Sequence, residues 1–180
     1  MVNFEIEPKS RADLRRIAAY LRELVGLSEE KYFPVIDMLD VLCEIDPQFS
    51  YEVVNDDELP KDIHADTDVL TRHIRIKESV YDGACNGKGR DRMTIAHEIG
   101  HYMTICICGF KFHRRFGKEK LPAYRDPEWQ AKCFAGELLM KREHIEFLTV
   151  DEIMESCGVS RSAARFHYCL LHGVPYRRCA

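Results

Sequence analysis

Asp91-Arg92-Met93-Thr94-Ile95-Ala96-His97-Glu98-Ile99-Gly100-His101-Tyr102-Met103 is the stretch on which the reading of the fold turns. On a helix, side chains four apart stand on one face, so His97 and His101 are placed to grip one metal ion. Glu98 beside them has the position of a general base for a metal-bound water, the H-E-x-x-H arrangement. Met93, Ile95, Ala96, Ile99, Gly100, Tyr102 and Met103 clothe the helix in apolar or small residues, which marks a buried element. After Arg92 its polar side chains are Thr94, His97, Glu98 and His101, three or four apart along one stripe. Burying unpaired polar groups costs about 2–7 kcal/mol each, and a divalent cation removes that cost. The competing explanation is a pair of core histidines bonded between helices.

The 180 residues suit one compact domain with a substantial core. An apolar fraction of 46% and a charged fraction of 31% are ordinary for a globular chain. A net charge of −4 and a pI near 6.1 leave no whole-chain electrostatic footprint for nucleic acid. Residues 1–10 lack the apolar core of a signal peptide, and the longest apolar run, around Tyr102 to Phe110, is too short to span a bilayer. The expectation is a cytoplasmic protein with no membrane partner. Of the eight cysteines, none forms a C-x-x-C pair. A reducing compartment then argues against disulfides, and Cys106-Ile-Cys108 reads as small buried hydrophobes ahead of a redox or metal pair.

From the motif outward, the fold class is α+β. Ser10 caps a helix to about Val25, with Leu14, Ile17, Ala18, Leu21 and Leu24 on its apolar face and Arg11, Arg15, Arg16 and Arg22 on a solvated one. Pro34 opens a second helix to about Cys43. Residues 49–54, 63–67 and 72–77 read as strands, the last two joined as a hairpin, with Ile74 and Ile76 inward and His73, Arg75 and Lys77 outward. Residues 79–86 form a short helix that Gly87-Lys-Gly89 breaks. That glycine-bearing loop fails as a phosphate-binding loop on spacing, and Asp91 is the expected N-cap of the metal helix.

Two histidines need a third protein ligand, with the fourth position left for water. A metzincin would carry Gly at 104 and His at 107; Thr104 and Ile107 stand there instead. Asp126-Pro127-Glu128-Trp129 marks a second helix start, with Asp126 as N-cap and Pro127 in the first turn. Glu128 is the preferred ligand, ahead of Asp126, Glu137, His113 and His144. Ala131 and Ala135 share its face and permit close approach to the metal helix, as Gly100 does from the other side. Glu137 stands half a turn round and does not share that face.

The runs Arg92-Met-Thr-Ile-Ala-His-Glu-Ile-Gly-His101 and Glu128-Trp-Gln-Ala-Lys-Cys-Phe-Ala-Gly-Glu-Leu-Leu-Met140 resemble the ImmA/IrrE-type zinc metallopeptidases. Ile74-Arg-Ile-Lys-Glu-Ser-Val-Tyr81 and Cys157-Gly-Val-Ser-Arg-Ser-Ala-Ala-Arg165 extend the resemblance over roughly residues 63–170. It implies a gluzincin-like core: a small, about three-stranded sheet packed on the H-E-x-x-H helix and a Glu-bearing helix, with a helical C-terminal hairpin. In these terms the chain divides into helices 10–44, sheet 49–78, metal-site helices 91–140 and a helix-turn-helix-like end 149–173. It also implies Zn2+ held by His97, His101 and Glu128, Glu98 as the catalytic glutamate, and a helix-turn-helix repressor of a mobile element, phage or stress regulon as protein substrate. Lys132 departs from the family's common Asn, and Lys141 from its Pro.

Other features admit two readings. Residues 109–120 are basic with interleaved aromatics, and read as a substrate-gripping loop or a solvated connection. Thr149 to Leu171 reads as helix, turn at Gly158-Val-Ser160, helix; with Arg161, Arg165, Arg177 and Arg178 it resembles a DNA-reading pair, or else a packing hairpin. Direct DNA contact is not expected of so acidic a chain. The expected chemistry is amide hydrolysis, with peptide paired along an edge strand at Ile63 to Thr67, and Tyr81 and Tyr102 as candidates for transition-state or substrate contact. The rival class is a non-catalytic metal-binding regulator.

Overall fold

A computed structural model describes residues 4–109, 113–114 and 121–176. Within them the order is β1 (Phe4–Glu5), α1 (Arg11–Leu24), α2 (Val35–Ile45), β2 (Ser50–Val54), β3 (Ala65–Asp68), β4 (His73–Lys77), α3 (Glu78–Cys85) and α4 (Gly89–His101). A π-helical turn (Tyr102–Ile107), β5 (His113–Arg114) and a 3-10 turn (Ala123–Arg125) lead to α5 (Pro127–Leu139), α6 (Arg142–Ile145), α7 (Val150–Cys157) and α8 (Arg161–His172). The α+β class and the three-stranded sheet are as expected.

β4 is the centre of that sheet, parallel to β2 (Ser50 opposite His73) and antiparallel to β3 (Ala65 opposite Ile76). β3 is therefore an edge strand. Ile74 and Ile76 are fully buried beneath α3 and α4, but so is Lys77, whose Nζ donates to the Pro60 carbonyl at 2.8 Å. Alternation placed Lys77 outside; a local carbonyl instead takes its charge inward. The short ladder of β1 on β5, Phe4 opposite Arg114, carries no periodic signal long enough to read from sequence.

Ser10 caps α1 with a full capping box, its hydroxyl accepting from Asp13 N while the Asp13 carboxylate accepts from Ser10 N. The supposed wet face of α1 is mostly engaged. Arg11 and Arg15 pair with Glu137 of α5 at 3.2 and 2.8 Å, which ties α1 to α5. Arg22 is 1% exposed; its Nε donates to the Leu138 carbonyl at 2.8 Å and its guanidinium stacks on Phe33. Capping the C-terminal carbonyls of a neighbouring helix is what makes its burial tolerable. Arg16 alone of the four keeps to the surface, beside Asp13.

The helix that carries the histidines starts at Gly89 with Lys88 as its cap, three residues before the expected cap Asp91. Gly89 lies so close to the Val159–Ser160 backbone that a Cβ would approach it to 2.3 Å, so tertiary packing begins the helix early. Arg92, in its first turn, is 1% exposed, stacks on Tyr32 at 3.8 Å and donates to the carbonyls of Gly158 and Phe33 at 2.8 Å each. It thereby locks the α7–α8 turn and the start of α2 to the helix that carries the histidines. No helix among the described residues is long and apolar enough to cross a membrane. Cys169 is disulfide-bonded, against the expectation of thiols throughout, because sequence spacing says nothing of the geometry that lets two sulfurs meet.

Candidate metal centre

α4 and α5 form the most extensive helix pair in the fold, and their glycine and alanine residues explain why. A Cβ on Gly100 would lie 2.8 Å from the Ala131 carbonyl oxygen and 3.0 Å from its Cα. Only a hydrogen fits at that crossing. α5 opens as the sequence predicts: Pro127 at its first position, and the Asp126 carboxylate accepting from Glu128 N at 3.0 Å. Gln130, wholly buried, fixes the same turn by donating to the carbonyls of Glu7 and Tyr124.

The close crossing carries Glu128 onto the histidines. His97 Nε2 and His101 Nε2 are 3.0 Å apart, with ring planes near perpendicular. The two Glu128 carboxylate oxygens reach His97 Nε2 and His101 Nε2 at 3.3 Å each. One donor atom from each residue lies within 4.8 Å of the others, the convergence a single cation needs. Two imidazoles with one carboxylate is the ligand set of open zinc sites. His101 and His97 hold the Glu128 carboxyl far below the usual carboxylate range through hydrogen bonding. The Glu128 side chain is 71% exposed, against 12% for His101, so the donor set faces solvent on the α5 side.

Glu98 is 6% exposed and faces the same cleft. Its Oε2 accepts from the Thr67 hydroxyl of β3 at 2.7 Å, so the edge strand fixes the rotamer of the candidate base. The cleft, about 380 Å³, is walled by β3 on one side and by Ile105 of the π-helical turn, Pro127 and Ile6 on the others. A π-helical turn following the ligand helix is the kind of irregularity that accompanies functional sites. Here the Thr104 hydroxyl donates to the Gly100 carbonyl at 2.7 Å.

Among the sequence candidates, His97, Glu98, His101 and Glu128 come together. Tyr102 does not join them: its hydroxyl donates to Asp46 at 2.7 Å, where Arg72 also binds. Tyr81 packs on the core next to Tyr51, and neither tyrosine lines the cleft. Glu137 is held by Arg11 and Arg15, Asp126 serves as cap, and His144 sits on α6 with both ring nitrogens buried and unpartnered. Most of the basic segment 109–120 lies outside the described residues, as do Arg177, Arg178 and the side chain of His113. Thr67 and Ile6 were missed. An edge-strand hydroxyl leaves no pattern, and the apolar alternation around Ile6 is too short to read.

Towards the C-terminal end, α7 and α8 form a helical pair joined by a tight turn. Thr149 caps α7, Gly158 takes φ +61° at the turn, and Ser160 caps α8. Among the described residues, Arg161 pairs with Asp151, and Arg165 donates to the Tyr176 carbonyl at 2.7 Å and stacks on that ring.

No protein-family profile matches the sequence, and no curated protein does. Among solved structures the chain is similar to a Mycobacterium tuberculosis transcriptional regulator, with a TM-score of 0.56 at 15% identity. The match covers 88% of this chain and 46% of that one, so this chain spans under half of the regulator's length. At that identity the likeness is one of fold.

Proposed function

We propose that this protein is a divalent-metal-dependent endopeptidase, with zinc as the metal. The observation that carries the reading is the meeting of His97, His101 and Glu128 in a cleft that Glu98 also faces. A structural site would close its fourth position with another protein ligand and would need no free carboxylate beside it. When bound, the cation supplies Lewis acidity, acidifying a water and polarising a scissile carbonyl. The chain's own residues supply the rest. Glu98 takes a proton from water as its oxygen attacks the carbonyl carbon, then gives that proton to the departing amine nitrogen as the C–N bond breaks. Thr67 holds Glu98 in place for both transfers. β3, unpaired on its outer side among the described residues, offers backbone groups to an extended peptide, and Ala65, Asp66 and Thr67 line the cleft where it would lie. The resemblance to the ImmA/IrrE-type peptidases supports a helix-turn-helix repressor as substrate.

A second reading, a non-catalytic metal-binding regulator, draws on the likeness to the Mycobacterium tuberculosis transcriptional regulator and on the α7–α8 pair. The internal engagement of Arg161 and Arg165 weighs against α8 reading DNA. Glu98→Gln separates the two. A hydrolase keeps its zinc and loses about 10²–10⁴-fold or more in cleavage of a repressor encoded beside it, whereas a non-catalytic regulator cuts no repressor in either form. Cleavage at the wild-type rate by the variant would remove Glu98 from the chemistry.

A further inference from the structure

A second cavity, of about 480 Å³, lies between α4, α5 and α8 and is lined by His97 but not by Glu98. His97 is the common wall: it lines both this cavity and the metal cleft. A chain segment held at the donor set and passing His97 would therefore present a side chain to this space. The surface lining it is mostly apolar, from Met93, Ala163, Phe166 and the bare α-carbon of Gly136, with the hydroxyls of Thr94, Ser160 and Ser162 among it. Lys132 and Arg90 are exposed cations on its rim, which disfavours a basic occupant.

One wall is a polar side chain without a local role. His167 of α8 is 8% exposed and lines the cavity, yet no hydrogen bond from a described residue reaches its ring. It fits only because position 136 is glycine, where a Cβ would come within 2.1 Å of its Nε2. Burial pushes the imidazole down to about 4, so the wall is uncharged at neutral pH. A neutral wall, a mostly apolar lining surface and a volume in the range of ligand pockets suit a large apolar group.

We infer that this cavity is the specificity subsite of the candidate peptidase and receives a bulky apolar side chain, aromatic or long aliphatic, of the residue next to the scissile bond. The inference rests on the peptidase reading for the word scissile, and on the shared His97 wall for the adjacency. Met93, Ala163 and Phe166 set the size of the accepted group, and Gly136 with His167 sets the depth.

The test has two arms on the zinc-loaded full chain. In the first, N-acetyl-phenylalanine amide and N-acetyl-alanine amide are titrated into Glu98→Gln protein while backbone NMR signals are followed. The phenylalanine amide is expected to shift the signals of Met93, Ala163 and Phe166, and the alanine amide to leave them in place. In the second, peptides differing only in Phe or Ala beside the cleaved bond are compared for wild type and Ala163→Phe. The Phe-over-Ala ratio of kcat/KM is expected to fall about 10–200-fold in the variant, the range that pocket-filling differences reach. Shifts that vanish in Ala163→Phe support the subsite even if no peptide is cut, in which case only the hydrolase reading falls. Cleavage with an unchanged ratio, or no shift at these residues, overturns the subsite and leaves the hydrolase reading standing. Because the NMR arm needs only the Glu98→Gln protein, misfolding of Ala163→Phe does not rescue the idea.

Discussion

Gly100→Ala tests whether the closeness of two helices, and not the ligand types alone, makes the candidate metal centre. The added Cβ meets the Ala131 carbonyl oxygen at 2.8 Å, against an ordinary contact of about 3.4 Å or more, and the obstacle is backbone that no rotamer change can clear. α4 and α5 must part by roughly half an ångström at the crossing, and overpacking of this sort costs about 1–3 kcal/mol. Replacing a mid-helix glycine returns about 1 kcal/mol of propensity. The net expectation is a loss of about 0–2 kcal/mol in the metal-free protein, and a domain of this length moves about 2–4 °C per kcal/mol. The larger effect falls on zinc. Gly100 adjoins His101, and Ala131 lies one turn from Glu128 on the same face, so the separation arrives where the carboxylate sits 3.3 Å from each imidazole. Zinc affinity should drop about tenfold or more, equivalent to about 1.4 kcal/mol. Calorimetric melting in chelator and a competitive zinc titration measure the two quantities separately. A variant that melts about 1 kcal/mol higher and binds zinc as tightly as wild type would refute the reasoning, since it would mean the crossing has slack.

Two further outcomes follow from the same coordinates. Removing the Thr67 hydroxyl with Thr67→Val deprives Glu98 of a donor worth about 1.5–3 kcal/mol, so kcat should fall about 10–100-fold with KM little changed, and Thr67→Ser should restore it. An equal fall in zinc occupancy would instead make Thr67 a part of the fold. His167 gives a pH signature. Its folded-state value near 4 lies below the ordinary value of about 6.5, so between these limits the unfolded chain binds a proton that the folded chain does not. Stability must then rise with pH across that window, and metal-free wild type should be about 2 kcal/mol weaker at pH 5 than at pH 7 on this account. Urea midpoints of His167→Leu at the two pH values should differ by less than those of wild type; an identical difference would place the titration elsewhere.

Much of the candidate site was legible before any coordinates. Helical spacing put His97 and His101 on one face, and Asp126-Pro127 fixed the start of α5 and hence the place of Glu128 in its first turn. The hairpin around residues 68–72 was visible from alternating apolar residues, though Lys77 turned inward against that pattern. Charged residues were the consistent source of error. Arg22 read as solvent-facing and, like Arg92, is instead among the most buried side chains, each bonded to carbonyls from other segments. No local pattern distinguishes an arginine facing water from one facing a distant carbonyl. The tyrosines failed for a related reason: Tyr102 follows the ligand helix in sequence, but its rotation about the helix axis sends the hydroxyl to Asp46.

By itself the sequence determined most of what repeats along one element: the caps of α1, α5, α7 and α8, the apolar faces, the pair of histidines and the acid that begins the second helix. These depend on spacing within a few turns, where the backbone geometry is known in advance. Tertiary structure decided what depends on two elements meeting, namely that Gly100 lets α5 close on α4, that Thr67 reaches Glu98, and that Gly136 leaves a recess beside His167. Such meetings are set by packing between residues far apart in the chain, and packing is a property of volumes in space that a linear order does not encode.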